Sequence, residues 1–271
     1  MRKPIVDGIF YPAQKEVLEA KVEELLAGAP DPSADVQPPK AIVVPHAGYN
    51  YTGELVALGF KAVSGRDIET VVLLAPVTRD AQDGLFLCDY DAFGTPLGPV
   101  PVDTAATASL LAHKGRFTVN NFPFLEEHSI EVQLPFIQYI WPQAQIVPVH
   151  MGRQNPGTVK QLAKALKAVF GPTLDKTLFV VSANASPYLQ RNLAEEYQAA
   201  FLSLCTAGDW QPILAELQKR KPLPNGTGCA AAVLGMADAV PQVAVLGTGD
   251  SKGDKVVCYA CLSINFLLYR R

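Results

Sequence analysis

The sequence contains few charged residues and no extended basic segment. Of its 271 residues, 18% are charged, the net charge is −3 and the pI is about 5.8. Lys and Arg occur only in short, scattered runs. A protein that binds the phosphate backbone or an anionic membrane surface needs a concentrated basic patch. We therefore expect no nucleic-acid partner.

Long apolar segments are also lacking. The longest apolar tract, Val256 to Tyr269, is interrupted by Ser263 and Asn265 and is shorter than the roughly 20 residues that a membrane span needs. Near the amino terminus, Pro4 and Asp7 interrupt any apolar segment of the length found in signal peptides. These observations predict a cytoplasmic protein that makes no use of a membrane.

The cysteines are few and odd in number, five in all. Together with the absence of an export signal, this predicts reduced thiols rather than disulfides. Cys258 and Cys261 have the spacing of a redox motif, but they lie in a strand-like run. Residues three apart in a strand point to opposite faces, so we expect both to be core residues.

Short apolar runs alternate with segments of helical periodicity along the whole chain. The chain is 49% hydrophobic, which suffices for one large core, and we expect a single domain over residues 1–271. This alternation predicts an α/β fold with a largely buried sheet flanked by helices. The segment from Phe93 to Pro101, rich in Pro and Gly, is expected to run over the surface. The predicted strands cover residues 41–44, 70–75, 84–90, 145–150, 178–182, 242–248 and 255–265.

Polar loops follow three of the predicted strands. They are Pro45–Tyr49, Pro76–Asp80 and Ala183–Pro187, and the first contains His46. In open α/β sheets the loops at the carboxyl ends of the strands form the ligand cleft. A hydrogen-bonded structural role is the alternative for His46, because histidine is commonly half-buried.

Two further segments carry reactive residue types. The run Glu126-Glu-His-Ser-Ile-Glu131 is the densest polar cluster in the chain, and its His128 could either belong to a helix cap or enter a cleft. Cys229 falls in the first turn of an alanine-rich helix, where the helix dipole lowers the pKa of a thiol. We expect Cys229 to be the most reactive cysteine; the alternative is a small thiol buried against the helix.

Four stretches together resemble the motifs of Memo-like proteins, which include the bacterial AmmeMemoRadiSam system protein B. They are Arg2 to Pro12, Pro45 to Tyr49, Glu127 to Phe136 and Gly249 to Asp254. The resemblance spans the chain, and the Glu-His-Ser-Ile-Glu-Val-Gln-Leu-Pro-Phe run is highly specific. It implies a fold like that of the class III extradiol dioxygenases, a mixed central sheet flanked by helices with a cleft at the strand ends.

The resemblance also implies a metal site. Family members combine the histidine of the Pro-His-Ala-Gly-Tyr loop, a histidine in a Gly-Pro-Ser-His loop and a cysteine that opens a late helix. His46 and Cys229 match the first and third ligands, but Thr78 stands at the position of the second. A Ser-Ser-Asp-x-Ser-His-Tyr motif of the family is matched with Asn184 in place of its aspartate and Pro187 in place of its histidine.

A catalytic zinc or iron site needs three protein ligands and an open position, so His46 and Cys229 alone predict a weak or vacant site. We expect no tightly bound cofactor; weak binding of iron, copper or zinc is the alternative. The predicted cleft residues are His46, Tyr49, Thr78, Arg79, His128, Asn184, Ser186 and Cys229.

Two functions follow from this resemblance. The first is a Memo-like protein with a degenerate metal site, a non-catalytic or accessory protein that binds a small molecule or peptide and that by family analogy is associated with a radical SAM protein. The second is a metal-dependent oxidoreductase or dioxygenase-like enzyme that uses His46, His128 and Cys229, with His128 as the candidate catalytic residue. The fold alone cannot decide between them.

Overall fold

An eight-stranded mixed sheet lies at the centre of the computed structural model, which describes residues 1–32, 37–79, 82–113, 115–219 and 222–268. The strand order in the sheet is β10-β12-β1-β8-β2-β7-β3-β6. The strands of the sheet are β1 (Ala41–Val44), β2 (Thr70–Pro76), β3 (Leu85–Leu87), β6 (Phe117–Val119), β7 (Gln145–Met151), β8 (Thr177–Ser182), β10 (Gln242–Asp250) and β12 (Cys258–Asn265). Two small ladders lie outside it and pair β4 (Ala92–Thr95) with β5 (Gly98–Pro101) and β9 (Leu189–Gln190) with β11 (Lys255–Val256).

Helices pack on both faces of this sheet and enclose two apolar cores. Helices α1, α2 and α5 contribute to one core, and helices α3, α6, α7, α8 and α9 contribute to the other. The helices are α1 (Lys15–Gly28), α2 (Tyr49–Val63), α3 (Thr104–Leu111), α4 (Phe122–Glu126), α5 (Leu134–Ile140), α6 (Pro156–Phe170), α7 (Arg191–Thr206), α8 (Gln211–Gln218) and α9 (Thr227–Leu234). The predicted fold, an α/β domain with a mixed sheet flanked by helices, is confirmed.

The middle of the sheet is formed by four neighbouring parallel strands, β1, β8, β2 and β7. Their side chains are buried on both faces, which is why they appear in the sequence as continuous apolar runs. The register aligns Val44 with Ser182 and Pro76 with Met151. All four strands therefore end at one edge of the sheet, and the polar loops that follow them lie side by side.

The segment from Phe93 to Pro101 is not the plain surface loop that its composition predicts. It forms the hairpin of β4 and β5, in which Phe93 and Val100 are buried. Gly98, with φ of +120°, allows the tight turn. The amino-terminal arm adds to the hairpin, because the Arg2 amide donates to Ala92 and the Gly94 amide donates to Arg2. A pairing partner more than 80 residues away could not be read from the local pattern.

The segment that follows α4 lies beside the loops at the strand ends and forms the other side of the candidate cleft. It runs through Glu127, His128 and Ser129 and a single 3-10 turn, Glu131–Gln133, before α5 begins. Glu131 is fully buried and forms an ion pair with Arg2. It also accepts hydrogen bonds from the Ile5 and Val6 amides and from the Tyr11 hydroxyl. One carboxylate thus fixes the amino-terminal arm to the segment that carries His128.

No helix in the described ranges combines the length and the apolar character that a membrane crossing requires.

Candidate functional site

The loops after β1 and β8 are joined directly to each other. The backbone amide of His46 donates to Oδ1 of Asn184 at 3.1 Å, and the Ala183 amide donates to the carbonyl of Val44. His46 is 4% exposed. The structure therefore brings these two predicted cleft residues together, and it shows that Asn184 positions the backbone of the histidine loop.

A chain of hydrogen bonds determines which nitrogen of His46 carries its hydrogen. Oγ of Ser182 donates to the carbonyl oxygen of Ser129 at 2.7 Å, so its single hydrogen is already used. Nδ1 of His46 lies 3.1 Å from the same Oγ and must donate to it. Because burial and the neighbouring His128 lower the pKa of His46 to about 3, the ring is neutral near pH 7. No hydrogen bond from the described residues engages its Nε2, which is left as an acceptor.

His128 has the opposite tautomer. Its Nε2 lies 3.1 Å from the carbonyl oxygen of His46, and a carbonyl can only accept, so Nε2 carries the hydrogen. Burial lowers the pKa of His128, although the Glu127 carboxylate opposes that effect. The His46 and His128 rings are 5.9 Å apart, and the Phe10 ring packs edge-on against His128 at 4.6 Å. Within the part of the chain that the structure describes, no hydrogen bond engages Nδ1 of the neutral His128, which is the second acceptor.

Thr78 is held by Glu127. Oε1 of Glu127 accepts from the Thr78 amide at 2.6 Å and from its hydroxyl at 2.8 Å. The side chain of Glu127 is buried, whereas Thr78 is exposed. The position that the motif resemblance matches to a second metal ligand thus bears a neutral hydroxyl that is hydrogen-bonded to a carboxylate.

Arg79 lies at the mouth of a small cavity beside Thr78. The cavity has a volume of about 90 Å³ and is lined by Arg79, Phe86, Phe122, Pro123 and Glu127, among others. Arg79 is exposed, and its positive charge contributes to the lowered pKa of His128. The residues that line this cavity do not include His46 or His128, and it is the charge of Arg79 that links it to His128.

Cys229 differs from the expectation of a reactive thiol. It lies in the first turn of α9, as predicted, but it is completely buried, and burial raises its pKa to about 12. The prediction of a lowered pKa is wrong, because the loss of hydration destabilises the thiolate. Among the described residues, no hydrogen bond joins Cys229 to His46.

The side chains of Tyr49 and Ser186 are hydrogen-bonded to the backbone and stabilise the fold rather than face a ligand. The Tyr49 hydroxyl donates to the carbonyl of Val132 at 2.8 Å, and its ring packs against Phe136 in the core. The Ser186 hydroxyl accepts from the Cys258 amide at 2.7 Å, and the side chain is 3% exposed. Both residues adjoin the cleft in sequence, and neither presents a free polar atom to a ligand.

Several residues that shape the site were missed by the sequence interpretation. Ser182 and Glu127 were quoted only as parts of motifs, and Gln133, whose Nε2 donates to the carbonyl of Pro45 at 2.9 Å, was not singled out. A signal for Gln133 existed, since it is a polar residue inside the apolar run from Ile130 to Phe136. His150 was also missed. It is buried in β7, and neither ring nitrogen has a partner among the described residues.

The side chains present do not match a metal site of the expected kind. Within the described ranges, no three residues among His, Cys, Asp and Glu lie close enough together to hold one ion. His46 could offer Nε2, but Thr78 and Asn184 are neutral and Cys229 is a buried thiol with a raised pKa. Metal binding requires a deprotonated cysteine. This donor set does not fit the three-ligand site that the resemblance implies.

Comparison with known proteins shows the family to which almost the whole chain is related. The family model described as "Memo-like protein" matches residues 2–261. The chain belongs to the Memo family. A MEMO1 family protein of Thermotoga petrophila is 29% identical over 97% of this chain and 98% of its own length. One of Methanothermobacter thermautotrophicus is 28% identical over 97% of this chain and all of its own length.

A solved structure has a similar fold. The crystal structure of an uncharacterised protein from Escherichia coli K12 is similar with a TM-score of 0.51 and 14% sequence identity. It covers 82% of this chain and 98% of the other. At this level of identity the similarity concerns the fold alone.

Proposed function

We propose that this Memo-family protein is a non-catalytic or accessory protein whose cleft binds a polar small molecule or a peptide without a metal ion. The observation that carries the proposal is the engagement of Thr78 by Glu127. It fills the position of a family ligand with a neutral hydroxyl hydrogen-bonded to a carboxylate. His46 and Cys229 then remain as an incomplete pair.

The cleft nevertheless keeps groups that can recognise a ligand. The neutral rings of His46 and His128 present two acceptors, Nε2 and Nδ1 respectively. Arg79 adds an exposed cation whose charge acts on His128. A ligand that suits this arrangement has N–H or O–H donors for the imidazoles and an anionic group for the guanidinium. The suggested association with a radical SAM protein belongs to this proposal and rests on the family resemblance alone.

Ligand screening by NMR, with the chelator EDTA present and absent, tests the proposal. We expect compounds of this chemistry to bind equally well with and without EDTA. His128→Phe should abolish their binding, because it keeps an aromatic ring but removes the Nδ1 acceptor. His113→Phe is the matched control, since His113 is also half-buried but lies after α3, and it should leave binding unchanged.

The alternative function predicts a different outcome of the same experiment. If His46, His128 and Cys229 held a catalytic iron, copper or zinc ion, ligand binding or turnover would depend on the added metal and would be lost on chelation. That result would contradict the proposal and support a metal-dependent oxidoreductase.

A further inference from the structure

A small cavity lies between helix α4 and the loop that follows β2, and we call it the α4 cavity. Its volume is about 90 Å³. Among the described residues that line it, neither His46 nor His128 is present, so the cavity is separate from the two histidines. One water molecule takes about 30 Å³ in the liquid, so the space suits about three waters or one organic molecule of that size. The lining residues are Val77, Arg79, Gln82, Phe86, Asn120, Phe122, Pro123, Glu126 and Glu127.

Part of the wall of the α4 cavity is apolar. Phe86 is buried in β3, and Pro123 is buried in the first turn of α4. Phe122 and Val77 complete this apolar part, and both are partly in contact with solvent. A small apolar group that enters the cavity leaves water and gains free energy.

Charged groups of both signs surround the same space. Arg79 and Glu126 are exposed, and Glu127 is buried. Within the described ranges, no ion pair joins Arg79 to either glutamate, although all three residues line one cavity. Charged groups in a partly desolvated space are stabilised when a group of opposite sign binds to them. The cavity thus offers a cation and two carboxylates that a bound molecule can pair.

Glu127 keeps the capacity to accept a further hydrogen bond. Its Oε1 accepts from the Thr78 amide at 2.6 Å and from the Thr78 hydroxyl at 2.8 Å, and its Oε2 lies 3.0 Å from the same hydroxyl. That hydroxyl has a single hydrogen, whereas a carboxylate has about four lone-pair sites. Lone pairs of Glu127 therefore remain for a donor group of a bound molecule.

We propose that the α4 cavity binds a small zwitterionic amino acid of about the size of alanine. The carboxylate of the amino acid pairs with the Arg79 guanidinium, whose planar shape suits a carboxylate. Its ammonium group donates to the carboxylates of Glu126 and Glu127, and its methyl group packs against Phe86 and Phe122. A simple carboxylic acid would leave the glutamates unpaired, and a simple amine would leave the guanidinium unpaired.

Titration of the full-length protein with alanine, followed by ¹H–¹⁵N NMR, tests the proposal. We expect saturable shifts of amide signals from residues that line the cavity, such as Phe86 and Phe122. Propionate lacks the ammonium group of alanine, and ethylamine lacks its carboxylate. Each should bind at least about tenfold more weakly than alanine, because a hydrogen bond to a charged group contributes that factor or more.

Substitution of an exposed arginine tests the role of the cation. Arg79→Gln should weaken alanine binding by at least about tenfold, because it removes the partner of the carboxylate. Arg153→Gln is the matched control. The Arg153 side chain is 70% exposed, it follows β7 and it is not among the residues that line the cavity. This control removes the same charge and should leave alanine binding unchanged.

The proposal does not rest on the proposed function, and the spectra distinguish the two. Ligands of the candidate cleft should shift the signals of His46 and His128, whereas alanine should shift those of Phe86 and Phe122. Three results would overturn the proposal: no saturable shift of the cavity signals with alanine, propionate or ethylamine bound as tightly as alanine, or alanine binding that Arg79→Gln leaves unchanged.

Discussion

At the residue scale, the chemistry of the cleft depends on which nitrogen of each histidine carries a hydrogen. Ser182 accepts from His46 because its own hydrogen is donated to Ser129. The His46 carbonyl in turn accepts from His128. Each ring is thereby fixed in one orientation and presents its free nitrogen as an acceptor. Glu127 also determines the chemistry of the cleft, because it accepts two hydrogen bonds from Thr78.

The two tautomers can be observed directly. We predict that the ring nitrogens of His46 show the Nδ1–H form at pH 7 and that those of His128 show the Nε2–H form. Two-dimensional NMR of the ¹⁵N-labelled imidazoles distinguishes the forms by their chemical shifts. Ser182→Ala removes the acceptor of His46, so the His46 signals should change to a mixture of tautomers. Signals of the Nε2–H form for His46 in the unaltered protein would contradict the hydrogen-bond scheme.

The cysteines give a second prediction for individual residues. All five are buried, and burial raises the pKa of Cys229, Cys205 and Cys261 to about 12. We predict that brief treatment with iodoacetamide under native conditions labels none of them. Mass spectrometry of the digested protein provides the measurement, and labelling in denaturant provides the control. Rapid labelling of Cys229 would show that the cleft opens to the first turn of α9.

At the scale of elements, the amino-terminal arm is fastened to the site by one buried carboxylate. Glu131 accepts from Arg2, from two backbone amides and from Tyr11. The arm then brings Phe10 against the ring of His128. The arm is consequently part of the cleft, although it is distant in sequence from every strand end.

Removal of this carboxylate should release the arm. We predict that Glu131→Gln lowers the free energy of unfolding by about 3 to 5 kcal/mol, because it leaves the buried Arg2 guanidinium without its charge partner. The ion pair between Lys21 and Glu24 is exposed, and Glu24→Gln should cost less than about 1 kcal/mol. Urea denaturation measures both values. Equal losses of unfolding free energy for the two substitutions would contradict the role of Glu131 in holding the amino-terminal arm.

The fold was more accessible from the sequence than the site was. Strand β1 was predicted at its observed bounds, and β8 within one residue, because buried parallel strands leave continuous apolar runs that are visible locally. The 258–261 cysteine pair was correctly assigned to a strand in the core. By contrast, the role of Glu131 and the pairing of β4 with Arg2 depend on contacts across more than 80 residues, which no local pattern encodes. The raised pKa of Cys229 depends on its complete burial. The position of a residue at the start of a helix does not reveal how deeply it is buried.

At the scale of the whole molecule, buried neutral histidines link stability to pH. Burial is the main cause that lowers the pKa of both His46 and His150 to about 3, from the ordinary histidine value of 6.5. The unfolded chain therefore binds more protons than the native protein between pH 6.5 and pH 3. Stability is fully present above pH 6.5 and is lost as the pH falls through this interval.

Replacement of one of these histidines should reduce the loss of stability at low pH. Each contributes a slope of about 1.4 kcal/mol per pH unit in this interval. We predict that His150→Leu lowers the slope of the unfolding free energy against pH by that amount between pH 4 and pH 6. Denaturant titrations at several pH values provide the comparison, and parallel curves for the two proteins would argue against a neutral His150 in the native protein.

The central claim is that the cleft lacks a tight metal site, and a zinc competition titration tests it most directly. The protein is purified without a chelator or a histidine tag and titrated against a coloured zinc chelator. We predict that the unaltered protein binds zinc more weakly than micromolar. The double variant Thr78→His, Asn184→Asp should bind more tightly, because it supplies a third ligand and a carboxylate that can orient an imidazole. Stoichiometric zinc binding by the unaltered protein at micromolar or lower concentration, lost in His46→Phe, would contradict the account.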